Sequence, residues 1–139
     1  MYARFLSALV LMFVVNANAA MQFPLEIIER FDEFRIVVYA TQTDIDKAPT
    51  WEPDEGAPPL SIEKLLLVID KQESKEPRLH KAKIQKIELK PIREYQAGHH
   101  WYYLVQLKVF TGEHPAMQYI AVLMNGKVLP AVREPDSYK

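Results

Sequence analysis

The stretch HHWYYLVQLKVF, residues 99–110, decides the fold because it indicates a strand whose two faces differ in character. Neighbouring side chains of a strand point to opposite faces, so every second residue lies on the same side. One side is wholly apolar and is predicted to face the core: Trp101, Tyr103, Val105, Leu107 and Val109. The other side is mixed: His100, Tyr102, Leu104, Gln106, Lys108 and Phe110.

The mixed face is the candidate binding surface, because aromatic and amphipathic side chains of this kind are frequent in interfaces. The candidate binding residues are His100, Tyr102, Leu104 and Phe110, together with Trp51 from the loop over residues 44–60. Two other interpretations stay open, in which the N-terminal segment or a second subunit covers this face. For Trp51, attachment of its loop to the body of the domain is favoured over stacking on a ligand.

Residues 61–75, SIEKLLLVIDKQESK, predict the main helix. Two prolines precede it, and Ser61 can cap the amides of the first turn. Apolar residues at helical spacing predict one buried stripe: Ile62, Leu65, Leu66 and Ile69. Leu67 lies off this stripe; it is either covered by the N-terminal segment, which we favour, or a contact for a partner.

Upstream of the helix, residues 34–41 (FRIVVYAT) predict a strand that is apolar on both faces and hence covered on both. Residues 21–33 fit a strand or a helix, and a short helix is favoured. Residues 44–60 contain four prolines and five acidic side chains, which predicts an acidic loop. Its carboxylates lack the spacing of a calcium-binding loop.

Downstream of the helix, residues 80–95 alternate basic and apolar side chains, which predicts a strand. The apolar phase shifts near Gln85–Lys86, and a β-bulge there would return it to one face. Pro91 lacks an amide donor and therefore indicates a strand that lies at an edge or is interrupted there. Its lysines are typical of the solvated side of such a strand, an interpretation that we favour over a membrane or polyanion patch.

The closing segment predicts a hairpin. Residues 117–124 indicate one strand and residues 127–133 the next, with Pro130 at an edge. Asn125–Gly126 between them predicts a tight turn, because both residues tolerate positive φ.

The first 19 residues have the pattern of a cleaved signal peptide. Arg4 precedes an apolar run over residues 5–15, and Ala17-x-Ala19 is the small-residue pattern of a cleavage site. We therefore expect a signal peptide over 1–19, a single α+β domain over 20–139, a periplasmic or secreted location and no membrane span after cleavage. The chain has no cysteine and a formal charge of −1, so neither a disulfide framework nor nucleic-acid binding is expected.

No catalytic motif, cofactor or metal site is predicted. His99 and His100 diverge if both lie in a strand, and no ligand spacing links them to the other histidines. The sequence contains no nucleophile elbow and no phosphate loop. A general acid–base site built on His100, Tyr102 and a nearby carboxylate stays open.

Four segments resemble the PepSY family of small extracytoplasmic domains: LSIEKLLLVI, KIQKIELK, WYYLVQLKV and YIAVLMNGKVLPAVRE. The resemblance implies an opening helix, two strands and a closing hairpin, in that order. The order of elements is also similar to the cystatin-like arrangement, in which a long helix lies across a curved sheet. QLKVFTG does not match the spacing of the cystatin inhibitory loop, so protease inhibition is not carried over. Fold analogy alone does not give function.

These observations predict an α+β domain with one main helix packed on a curved antiparallel sheet of four to five strands, cystatin-like in arrangement. The predicted function is a small binding or regulatory module without catalytic machinery, whose partner is an envelope protein or peptide. One alternative is a small-ligand-binding or enzymatic pocket that uses His100 and Tyr102. The other alternative is a structural homodimer.

Overall fold

The computed structural model describes residues 25–93 and 99–135, so the predicted signal peptide and residues 94–98 lie outside it. The strands are β1 Leu25–Arg30, β2 Phe34–Ala40, β3 Lys83–Pro91, β4 Trp101–Thr111, β5 His114–Leu123, β6 Val128–Leu129 and β7 Ala131–Pro135. The helices are α1 Gln42–Lys47 and α2 Ile62–Lys75, and 3₁₀ turns occur at Pro53–Glu55 and Pro77–Leu79. None of the helices within these ranges is both long and apolar enough to cross a membrane.

The strands form two antiparallel sheets instead of the single sheet that the sequence predicts. The three-stranded sheet has the order β1-β2-β7, and the four-stranded sheet has the order β3-β4-β5-β6. The α+β class with one main helix is confirmed. The second sheet arises because β2 is paired on both sides by strands from the two ends of the domain.

The closing hairpin is confirmed at Asn125–Gly126. Gly126 has a φ of +86°, and its amide donates a hydrogen bond to the carbonyl of Leu123 at 2.8 Å. The single last strand predicted over residues 127–133 is wrong, because the chain changes sheets at Pro130. The Pro130 carbonyl accepts a hydrogen bond from the Tyr39 amide at 3.0 Å, and β7 then continues along β2.

Each face of the four-stranded sheet is covered over part of its length. One core lies between this sheet and α2 and includes Leu65, Val105 and Leu107. A second core lies between the two sheets and includes Ile36 and Leu104. The alternation predicted for β4 therefore holds, and the first half of its mixed face is covered by the three-stranded sheet.

The short helix favoured over residues 21–33 is wrong for the part that the structure describes. Residues 25–30 form β1, which pairs with β2 along its whole length. A tight turn joins the two strands, closed by a hydrogen bond of 2.8 Å from the Phe31 amide to the Phe34 carbonyl. Ile27 is 1% exposed and faces the second core. The sequence of this segment fits a helix or a strand, and burial beside the β-prone strand β2 favours the strand.

Helix α2 begins where its sequence predicts, with the Ser61 side chain accepting a hydrogen bond from an amide of the first turn at 3.2 Å. The predicted buried stripe is only half confirmed. Leu65 and Ile69 are buried, whereas Ile62 and Leu66 are 49% and 43% exposed. A single helix on a sheet contacts it along a narrow line, so side chains at the margin of an apolar stripe stay partly in water.

Two other expectations for the helical region are corrected. Leu67 is 65% exposed, because the N-terminal strands cover the opposite face of the four-stranded sheet and not the helix. The loop predicted over residues 44–60 begins inside α1. The side chains of Thr41 and Asp44 form a capping box, which starts this helix at Gln42.

The pairing of β3 with β4 confirms the predicted bulge and the predicted edge position of β3. Ile84 pairs with Leu107, and after a register shift Lys86 pairs with Gln106. The shift returns Ile87 to the face that packs under α2.

Leu65→Ala is expected to lower the free energy of unfolding by about 2–5 kcal/mol, because it leaves a cavity in the core beneath α2. Leu66→Ala, one position further along, is expected to lower it by less than about 1 kcal/mol, because that side chain is partly in water. Urea unfolding followed by circular dichroism measures both values. Equal losses would contradict this placement of the helix.

Candidate functional site

The two histidines of the quoted stretch lie just before β4. His99 has a φ of +65°, in the left-handed region, and its ring contacts the carboxylate of Glu52. Its carbonyl accepts a hydrogen bond from the Trp51 amide at 2.8 Å. These contacts attach the acidic loop to the start of β4.

His100 is turned into the protein and is 7% exposed. Burial lowers the pKa of its imidazole below the ordinary value, the Asp46 carboxylate opposes this shift, and His99 adds to it. Burial therefore favours the neutral form of the ring. Within residues 25–93 and 99–135, no group of three or more His, Asp, Glu or Cys side chains is placed to hold a metal ion.

Trp51 anchors its loop, which is the role that the sequence analysis favours. The indole is 7% exposed and packs edge-to-face on Trp101, with 5.3 Å between ring centres and 76° between ring planes. Such aromatic pairs contribute about 0.5–1.5 kcal/mol beyond the area that they bury.

Tyr102 joins the two sheets. Its side chain is fully buried, and its hydroxyl donates a hydrogen bond to Oε1 of Glu29 in β1 at 2.7 Å. Lys90 Nζ donates to the other oxygen, Oε2, of the same carboxylate at 2.9 Å. The Glu29 and Lys90 side chains are 23% and 25% exposed, so this ion pair is screened less than one at the open surface.

Four of the five candidate binding residues are therefore interior: His100, Tyr102, Leu104 and Trp51. They contact other parts of this chain and do not form a surface that a partner protein could reach. Tyr102 and Leu104 are covered by the three-stranded sheet, which includes β1, a segment whose sequence pattern favoured a helix. Trp51 is buried against Trp101.

Phe110 is the candidate residue that reaches the surface. On its face of β4, Leu104 is buried, Lys108 is half-buried and Phe110 is 53% exposed. The three-stranded sheet thus covers only the first part of this face. The ammonium groups of Lys83 and Lys108 each lie 5.7 Å from the centre of the Phe110 ring, within the range of cation–π interactions.

We call the uncovered end of the four-stranded sheet the distal face. It comprises Lys83, Lys86, Lys108, Phe110 and Met117. Met117 lies directly across from Lys108 and is 37% exposed. Lys86 forms an ion pair of 2.9 Å with Glu88, whereas Lys83 and Lys108 form none with carboxylates of the described residues. The distal face therefore combines positive charge with exposed aromatic and thioether groups.

A groove of about 600 Å³ adjoins the distal face and runs beside β5. Residues 115–119 line it on one side and residues 131–133 on another, and Arg78 also contributes. The Arg133 guanidinium lies 4.2 Å from the centre of the Phe34 ring. The described lining residues include two arginines and no carboxylate.

Sequence reasoning found Phe110 but missed the rest of this surface. Lys83 and Lys86 were interpreted as the solvated side of an edge strand, and Met117 as an ordinary strand residue. A signal was present in strand length, because β4 has 11 residues and the covering strand β2 has only seven. A long strand under a shorter one leaves one end uncovered, and Lys108 and Phe110 lie at that end.

Comparison of the chain with protein-family models, with curated proteins and with solved structures found no match.

Tyr102→Phe is expected to lower the free energy of unfolding by about 1.5–3 kcal/mol, because it removes a hydrogen bond to a charged group. Tyr103→Phe removes a hydrogen bond of 2.7 Å to the neutral carbonyl of Leu60 and is expected to cost about 0.5–1.5 kcal/mol. Chemical denaturation of the two variants gives the comparison. If Tyr103→Phe lowers the free energy of unfolding more than Tyr102→Phe does, the hydrogen bond from Tyr102 to Glu29 is not the stronger of the two.

The stability is expected to depend on pH through His100. Because burial lowers its pKa in the folded state, the unfolded state binds more protons as the pH falls through about 6.5. The contribution of the neutral ring is therefore complete above this pH and is lost progressively below it. His100→Gln is expected to flatten the dependence of the guanidinium midpoint between about pH 7 and pH 5. The exposed His80→Gln is the control, and an equal flattening in that variant would contradict the assignment.

Proposed function

We propose that this protein is a periplasmic or secreted binding module that recognises an acidic partner protein or peptide through the distal face and has no catalytic machinery. The observation that carries the proposal is the placement of Lys83 and Lys108 over the half-exposed ring of Phe110. The location outside the cytoplasm rests on the signal-peptide pattern of residues 1–19.

The chemistry of the distal face favours an acidic ligand. Ammonium groups that lack a carboxylate within the described chain attract anionic side chains, and they do so most strongly at low salt. Phe110 and Met117 supply exposed apolar surface between and beside these charges. A central aromatic residue bordered by charged residues is a common source of binding energy in protein interfaces.

The alternative pocket built on His100 and Tyr102 receives no support from the geometry. Both side chains are buried, and the Tyr102 hydroxyl already donates to Glu29. A relationship with PepSY domains or with the cystatin-like arrangement stays a proposal, supported by the order α2-β3-β4-β5-β6. The three-stranded sheet is additional to the segments on which that resemblance rests.

The proposal is tested with a labelled synthetic peptide of ten alternating glutamate and valine residues. Fluorescence anisotropy is expected to detect binding, and a peptide with lysine in place of glutamate is expected not to bind. Lys108→Glu is expected to weaken binding about tenfold because it reverses a charge at the site. Phe110→Ala is expected to weaken it by about 1–2 kcal/mol through loss of the apolar contact.

The matched controls are Lys71→Glu and Leu67→Ala, which change the same kinds of side chain on α2, across the sheet from the distal face. Both are expected to bind the acidic peptide as the unmodified protein does. Equal binding of the acidic and basic peptides, or equal losses in the α2 variants, would reject the distal face as the site.

A further inference from the structure

Among the strands that the structure describes, one edge of β5 has no strand partner over most of its length. β6 pairs with β5 only at Ala121 and Val122, because the chain leaves for the other sheet at Pro130. Within the described residues, no strand pairs with residues 114–120 on the side away from β4. This unpaired stretch is the free edge of β5.

The register identifies the main-chain groups on the free edge. The Leu123 amide donates to the Lys127 carbonyl at 2.9 Å, which shows that Leu123 points its main chain away from β4. Main-chain groups of a strand alternate in direction, so Tyr119 and Met117 point the same way. Pro115 occupies the next outward position, where a missing amide removes no bond to β4.

The groove beside this edge has the space and charge to receive a further strand. Its two arginines lie on different sides of the sheet. Arg78 belongs to the 3₁₀ turn whose Leu79 packs under α2, and Arg133 belongs to β7 of the three-stranded sheet. A strand with carboxylates on either face therefore meets an arginine, and Met117 and Val132 offer apolar contacts. Arg78 also forms an ion pair of 2.9 Å with Glu76, whereas the Arg133 guanidinium lies over the Phe34 ring.

From this geometry we infer that β5 binds an extended acidic segment of a partner as an additional strand. The inference rests on the proposed function, since it specifies how an acidic partner is held. The amides and carbonyls of Met117 and Tyr119 pair with the main chain of the partner, as in other cases of strand addition. Side chains of the partner then lie across the distal face and the groove.

Two peptides of the same sequence separate charge from strand pairing. The first is the alternating glutamate–valine peptide, and the second carries a methyl group on every backbone amide. The methylated peptide keeps all carboxylates but cannot donate main-chain hydrogen bonds. It is expected to bind at least about tenfold more weakly, since two or more ordinary hydrogen bonds are lost.

Amide hydrogen exchange of the protein provides an internal control. Saturation with the unmethylated peptide is expected to slow exchange at Met117 and Tyr119 by about tenfold or more, because their amides become paired. Exchange at Ala116 and Gln118 is expected to stay unchanged, since those residues point their amides at β4. Met117→Pro removes one outward amide and is expected to weaken binding, as long as circular dichroism shows that the variant folds.

The outcomes distinguish the two proposals. Equal binding of both peptides, with no change at Met117 and Tyr119, would overturn strand addition and leave the acidic preference of the distal face in place. Binding of neither peptide would overturn both. If the two amides instead become protected as the concentration of the protein alone is raised, a second copy occupies the free edge, and the inference of an acidic peptide is wrong.

Discussion

The fold depends on the need to cover both faces of one strand. In β4, Val105 and Leu107 point toward α2, while Tyr102 and Leu104 point toward the three-stranded sheet. Burial of apolar surface contributes about 25 cal/mol per Å², and neither face of this strand can stay in water without losing that contribution. The helix therefore covers one face and a second sheet covers the other. Where the second sheet ends, this face carries the half-buried Lys108 and the exposed Phe110.

Polar contacts then fix the covering elements in place. Glu29 of β1 accepts hydrogen bonds from Tyr102 and Lys90 of the four-stranded sheet. These directional contacts fix the position of β1, in addition to the burial of its apolar side chains. At the opposite margin, the ammonium of Lys127 contacts the carboxylate of Asp44 and lowers its pKa, which joins α1 to the closing hairpin. Contacts of this kind add specificity to a core whose hydrophobic attraction has no preferred direction.

The sequence predicted the elements well where period and capping agree. The start of α2 at its Ser61 cap, the bulge near Lys86, the turn at Gly126 and the alternation along β4 are all present. It failed where a local pattern fitted two structures. The β1 segment has apolar residues at both spacings, and its long-range pairing with β2 decides between them. The sequence analysis left open that the N-terminal segment covers the mixed face, and the three-stranded sheet does cover its first half. The candidate site therefore lies at the end of β4 and not at its start.

The two outer edges of the four-stranded sheet show how the same fold treats unpaired main-chain groups differently. β3 carries lysines, a bulge and Pro91, which are common means of preventing another strand from adding. The free edge of β5 has Pro115 at its start, but Met117 and Tyr119 then follow without a charge or a bulge. The free edge is short, and residues 131–133 of β7 lie across the groove from it. A partner segment therefore reaches the main chain of β5 only by entering this groove. The contrast favours a recognition role for β5 and a protective role for the bulge and Pro91 of β3.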